Sequence, residues 1–296
     1  MDPIVSMNPI PSMDIVGAMS PIASMDTIGS FVKLIWENQL TFLFILTRIA
    51  SFVTALPILG GGGTPVYVKA LLVVGMTFVL FPVVSGEFTP PSPTPPAQIS
   101  LGLLIQGLLS EITIGMLIGF GTRMVFAAVE LGAEVAGMQI GFGVANAFDP
   151  ISNQQVSLMR QIYMAIAALI FVSIHGDHSV IRAMMFSFQA VPTLGFTIQG
   201  PLIQQIIRMG SELFILGMKI AAPITVALLL AQIAMGVISR VVPQIQVFMF
   251  SFPLTIGIGL MVFGFSLSLY VGLLKEQMGG QMERHLVDLL MHMKRT

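Results

Sequence analysis

The sequence predicts an all-α, polytopic, membrane-associated protein built from helical hairpins, and three observations carry that prediction. Hydrophobic residues make up 55% of the 296-residue chain and charged residues only 9%, far below the ~25% charged of a soluble domain. Apolar runs recur at about 31–56, 66–85, 99–120, 156–174, 213–238 and 247–274, several of them reaching the ~20 residues that cross a bilayer. Charges and prolines nevertheless sit in or beside these runs: Arg48, Glu111, Glu130, Glu134 and Lys219, with Pro57, Pro82, Pro192, Pro223 and Pro253. A charge facing lipid near the bilayer centre costs at least ~2.5 kcal/mol, and irregular backbone survives at membrane depth only where protein or a cavity covers it. The chain therefore reads as a subunit built to be surrounded.

Three regions follow from the composition. Residues 1–27 repeat Met at Met1, Met7, Met13, Met19 and Met25, with Pro3, Pro9, Pro11 and Pro21 between them; such a segment buries nothing and reads as a disordered extension. The first 30 residues have neither a basic start nor an apolar core, so no signal peptide is expected there. Residues 28–274 hold the apolar segments. The Gly-rich loop after Pro57 joins the first two, and the Pro-rich link 87–96 is expected to be extended and exposed. Leu213 to Ile238 and 247–274 follow a shorter amphipathic piece at 180–188, and Pro interruptions make a simple count of spans unsafe. Residues 275–296 form an amphipathic tail: Met282, Leu286, Leu289, Leu290 and Met293 share one face, and Arg284, His285, Asp288, His292 and Arg295 the other. That tail suits either a membrane surface or a partner. Its Lys275, Arg284, Lys294 and Arg295, against three Asp and no Lys or Arg in residues 1–27, favour a cytoplasmic C-terminus.

The stretch 130–150 is the most distinctive. As a helix it places Ala133, Gly137, Gly141 and Ala145 on one ridge, the small-xxx-small pattern that lets backbones approach closely. Glu130 and Glu134 lie on a second ridge with Met138 and Phe142. Asp149-Pro150 is expected to end the helix, because a residue before proline is pushed out of the α region. Two readings stand side by side: a tightly packed helix with a loop after it, or a helix opening into a Gly-softened constriction.

Several chemistries are poorly supported. Zero cysteines remove disulfides and thiolate chemistry, and a net charge of -1 offers no basic footprint for nucleic acid. Gly60 to Gly63 lacks the Gly-Lys-Ser/Thr of a phosphate loop. His175, Asp177 and His178 have metal-ligand chemistry but no third histidine nearby, so Asp177 or Ser179 is expected to cap the next helix instead. Glu130 and Glu134 suit either proton carriage in a transporter or structural pairing with basic groups of a neighbouring chain. No hydrolytic constellation can be assembled, and neither a catalytic residue, a cofactor nor a metal is expected.

The run AAVELGAEVAGMQIGFGVANAFDP, with Gln139, Gly141, Ala145 and Asp149-Pro150, resembles the central signature of the FliR/T-type family of type III export-gate subunits. So does KIAAPITVALLLAQIAMGVISRVVPQIQVFMFSFPLTIGIG, with Ala222-Pro223, Gly236, Arg240, Pro243-Gln244 and Phe252-Pro253. The likeness covers about 31–274, and Gln139, Gly141, Asp149-Pro150 and Pro243-Gln244 look like the flagellar branch rather than the injectisome one. It implies a non-enzymatic subunit of the bacterial inner (plasma) membrane at the flagellar basal body. P-type and Q-type export-gate subunits, other membrane proteins of the flagellar export apparatus and membrane lipid would surround it, and unfolded exported polypeptides would pass through the assembly. The resemblance makes 141–154 a channel plug, with Gly141, Phe142, Gly143, Val144, Phe148, Asp149 and Pro150 its working residues. Glu111, Glu130, Glu134, Lys219 and Arg240 are expected to be structural charges inside the assembly. A secondary transporter with broken helices, or a polytopic scaffold without a conduit, is the alternative.

Overall fold

A computed structural model describes residues 35–36, 38–57, 64–87, 100–141, 158–192, 195–196, 200–241 and 247–293. The extension at 1–27, the Gly-rich loop, the Pro-rich link from 88 onward and residues 142–157 lie outside the described residues.

The described residues are helical, with no β-strand among them: α1 Gln39–Ala55, α2 Val66–Glu87, α3 Leu101–Ile140, α4 Leu158–Ser173, α5 Gly176–Ala190, α6 Gly200–Val241, α7 Val247–Glu276 and, after a π-helical turn Gln277–Gln281, α8 Met282–Met291. Four stretches are long and apolar enough to cross a membrane: Val66–Val84, Leu101–Ile140, Gly200–Val241 and Ser251–Met291. The α4–α5 pair, bent by 68°, makes a fifth if read as one broken span. The polytopic all-α architecture is therefore present.

α3 is the spine. Ser100 caps its start, the hydroxyl accepting from the Leu103 N–H, and the helix then runs without a break through Arg123, joining two segments that hydropathy divides. It packs against α1, α4, α5, α6, α7 and α8. Glycines set the closest of these crossings. A Cβ on Gly115 would collide with Ser51 and the Arg48 carbonyl of α1, and one on Gly119 would come 2.9 Å from the Phe52 carbonyl. Against α6, a Cβ on Gly132 would stand 2.7 Å from the Gly217 carbonyl, and one on Gly217 3.0 Å from the Ala128 carbonyl. Gly121 meets Met209, whereas Gly132 meets Gly217 and Ile220. α3 and α6 therefore run parallel, and α1 runs the same way, since Arg48 lies against Glu111 and Phe52 against Gly119. α2, the α4–α5 leg and the α7–α8 leg return between them, giving successive hairpins.

Four expectations are corrected here. The helix containing Glu130 and Glu134 stops at Ile140, not at Asp149-Pro150: Gly141 turns left-handed (φ 99, ψ 10), and its N–H bonds to the Gly137 and Met138 carbonyls, which is what glycine's missing Cβ allows. Ala145, the last residue of the expected ridge, lies outside the described residues. Pro82, Pro223 and Pro253 lie within α2, α6 and α7 rather than breaking them; a long span tolerates one lost backbone bond where neighbours cover it. α5 starts at Gly176, with His175 left-handed (φ 56) in the cap position and no side-chain cap, so Asp177 lies in the first turn and neither it nor Ser179 caps. Finally, the tail needs neither a membrane surface nor a partner to cover its apolar face. Met282, Leu286, Leu289, Leu290 and Met293 are buried in the chain's own core, with Leu286 against Gly121 of α3.

Candidate functional site

The most completely built polar site joins α1, α3 and the end of α5. Arg48 is fully buried and Glu111 nearly so. Arg48 Nε donates to Glu111 Oε2, and Nη2 donates to Glu111 Oε1 at 3.0 Å. The remaining donors reach the last turn of α5: Nη1 to the Ser187 carbonyl at 2.9 Å and the Ser187 hydroxyl at 3.3 Å, and Nη2 to the Val191 carbonyl at 3.0 Å. All the N–H groups of the guanidinium are thereby used, and its carbon stands 4.3 Å from the centre of the Phe188 ring. A bidentate pair with every donor satisfied is the arrangement in which a buried ion pair is tolerated. Gly115 and Gly119 let α1 approach α3 closely enough for the pair to form. Sequence reading places Glu111 among the structural charges and Arg48 inside a span. It does not join them, because 63 residues separate them.

The remaining predicted charges lie further along α3 and on α6. Glu130 Oε1 accepts from Arg160 Nη2 of α4 at 3.0 Å, with both side chains partly exposed. Glu134 and Lys219 are exposed. Lys219 is almost level with Glu134, because Gly132 of α3 lies against Gly217 and Ile220 of α6. Arg240, in the last turn of α6, is exposed as well. Around these charges stand exposed Met138, Phe214, Ile215, Met218, Val237 and Ile238. Of the plug residues, Gly141 is described, as the cap of α3; Phe142, Gly143, Val144, Phe148, Asp149 and Pro150 lie outside the described residues.

Two further polar clusters lie on α6 with the tail and at the start of α5. Glu212 of α6 accepts from Arg208 Nε at 3.2 Å and its other oxygen stands 2.9 Å from His285 Nε2, bringing the tail helix against α6. His178 Nδ1 and Asp177 Oδ1 stand 3.1 Å apart on the exposed start of α5. Among the described residues no group of His, Asp and Glu is placed to hold a metal ion. These contacts tie α1 to α3 and α5, α3 to α4, and α6 to α8.

A family described as bacterial export proteins, family 1, matches residues 39–280. Flagellar biosynthetic protein FliR of Escherichia coli (strain K12) is 28% identical over 227 residues, covering 77% of this chain and 83% of that protein. FliR of Pectobacterium carotovorum subsp. carotovorum is 29% identical, over 79% of this chain and 86% of its own. FliR of Bacillus subtilis (strain 168) is 27% identical, over 73% and 82%. The matched residues contain the spine helix, the Arg48–Glu111 pair and every helix from α1 to α7, and the chain belongs to the bacterial export proteins, family 1.

Proposed function

We propose that this chain is a non-enzymatic subunit of the flagellar type III protein export gate. In this reading it sits in the bacterial inner membrane at the basal body. With P-type and Q-type subunits it forms the channel through which unfolded flagellar proteins cross. The carrying observation is the surface around Glu134, Lys219 and Arg240, where charges stand exposed among large apolar side chains. Lipid is a poor neighbour for such charges, and a soluble surface would not carry so much apolar area. Neighbouring protein subunits satisfy both. The likeness to FliR proteins supports the flagellar branch over an injectisome. Residues 141–154 act as the plug in this account. Gly141 ends α3 with a left-handed turn, and the apolar Phe142, Val144 and Phe148 beyond it close a narrow conduit by excluding water until a substrate arrives. The driving energy comes from other parts of the machine.

The test is genetic and biochemical together. A strain lacking this chain is complemented with the wild type or with Glu134→Lys, and secretion of a hook or filament protein is measured. Restoration by the wild type, with loss of both export and partner co-purification in Glu134→Lys, is the expected result. Export that proceeds equally without the chain refutes the proposal.

A further inference from the structure

A cavity of about 320 Å³ lies between α1, α2, α3 and the bend from α4 to α5. Its walls include Phe52, Leu72, Met76, Phe126, Phe171 and Ile181. The polar side chains on it are Thr122 and Asp177. Thr122 already donates to the Ile118 carbonyl at 3.2 Å, and Asp177 is half exposed beside His178. An apolar cavity offers water too few partners and takes apolar guests instead, and this one is large enough for a ligand of small-molecule size. Three of the elements that wall it, α2, α3 and the α4–α5 leg, are long and apolar enough to cross a membrane. Leu71, Leu169 and Val172 continue the apolar surface outward, at 75%, 72% and 63% exposed. The first two turns of α5 carry an acid and a base, Asp177 and the exposed Arg182, with the His178 imidazole 3.1 Å from the Asp177 carboxylate.

We propose that this cavity is a phospholipid site that takes one acyl chain, the ammonium of a zwitterionic headgroup meeting Asp177 and its phosphate meeting His178 and Arg182. A slender acyl chain is the kind of apolar guest that a cavity of this volume and apolar lining holds. A headgroup carrying both signs complements the carboxylate and the basic side chains, whereas a purely anionic headgroup meets Asp177 unfavourably. The lipid would brace the bend at Ser173–Gly176, where Phe171 packs on the Gly176 backbone. Lipid can be held whatever the chain exports, so this site stands or falls independently of the gate reading.

The test uses the assembled complex purified from membranes and reconstituted in vesicles of phosphatidylethanolamine and phosphatidylglycerol, either lipid carrying a photoactivatable acyl chain in turn. Irradiation and peptide mapping should place phosphatidylethanolamine label on the peptide containing Met76 in the wild type. Val172→Trp with Ile181→Trp fills the cavity and should lower that label at least five-fold, leaving label on exposed Phe265 of α7 unchanged. Asp177→Asn keeps the cavity and should cut the preference for phosphatidylethanolamine over phosphatidylglycerol at least three-fold. It decides the matter if the filled variant fails to assemble. Equal label at Met76 in wild type and filled variant, or an unchanged preference in Asp177→Asn, overturns the proposal. The chain lacks cysteine, so Ile181→Cys bearing a benzophenone reports the neighbour directly: crosslinks to lipid support the site, and crosslinks to a protein chain overturn it.

Discussion

Glu111→Gln tests the buried hub directly. The substitution keeps the shape of the side chain and removes its charge, leaving Arg48, which is 0% exposed, with a full positive charge and no counter-ion. Removing one partner of a buried pair costs ~3–5 kcal/mol. At ~2–4 °C per kcal/mol for a chain of this size, the apparent melting temperature should fall by roughly 6–20 °C. Arg48→Met should cost about as much, since it strands Glu111. The double variant Arg48→Met with Glu111→Leu removes both charges, and a well-packed apolar replacement for an ion pair is often neutral. Here the Ser187 and Val191 carbonyls also lose their guanidinium donors, at ~1–3 kcal/mol for each group left unsatisfied. Ser187 keeps its bond from the Val191 N–H, so the double variant should lie near the low end, about 2–4 kcal/mol, well short of the ~6–10 kcal/mol that adding the singles gives. Arg160→Ala is the control, because its pair with Glu130 is partly exposed and should be worth no more than ~1 kcal/mol. The assay is thermal denaturation of detergent-solubilised protein followed by fluorescence-detected size exclusion. A fall below 2 °C for Glu111→Gln, or strict additivity in the double variant, refutes the reasoning.

Gly132→Ala should destabilise by about 1–3 kcal/mol, because its Cβ meets the Gly217 carbonyl and Ile220; Gly75→Ala, with open space around it, should stabilise α2 by ~0.5–1 kcal/mol, and the same melting assay compares the two. Leu286→Asp places a carboxylate in a fully buried position against Gly121 and should free the tail, read as much faster proteolysis after Arg284, whereas His285→Ala removes one partly exposed pair with Glu212 and should leave the rate within about two-fold, as its ~0–1 kcal/mol implies. Replacing Phe142 and Phe148 by Ala should give complexes that assemble but leak ions across the membrane of idle cells; intact complexes without added leak refute the plug.

Most helices were legible because length and hydropathy alone specify a span. The first half of α6 was not: Gln204, Gln205, Arg208 and Glu212 dilute its hydropathy, although Leu202, Gln205 and Met209 are buried in the fold. The sequence at the α4–α5 bend suggests a capped loop, yet the bend is made by a left-handed histidine followed by a glycine that Phe171 covers. The small-xxx-small spacing at Ala133 and Gly137 does mark buried positions. The same spacing at Gly115 and Gly119, in a run that hydropathy marks merely as another span, brings α1 against α3. The Arg48–Glu111 pair has no local periodicity to betray it. Its available signal was two opposite charges, each alone in an apolar run, for which mutual neutralisation is the least costly arrangement. Glu134, Lys219 and Arg240 have no ion-pair partner among the described residues, and the proposed gate places their counter-charges on neighbouring subunits.

The central claim, that this chain works as one member of a conduit made of several kinds of subunit, is tested most directly by purifying it from native membranes through an affinity tag and weighing the intact complex by mass spectrometry. The account predicts a stable hetero-oligomer containing P-type and Q-type subunits, with photo-crosslinks to them from benzophenone-labelled Cys at positions 134 and 219. Recovery of the chain alone, or as copies of itself only, with no crosslink from either position, contradicts it.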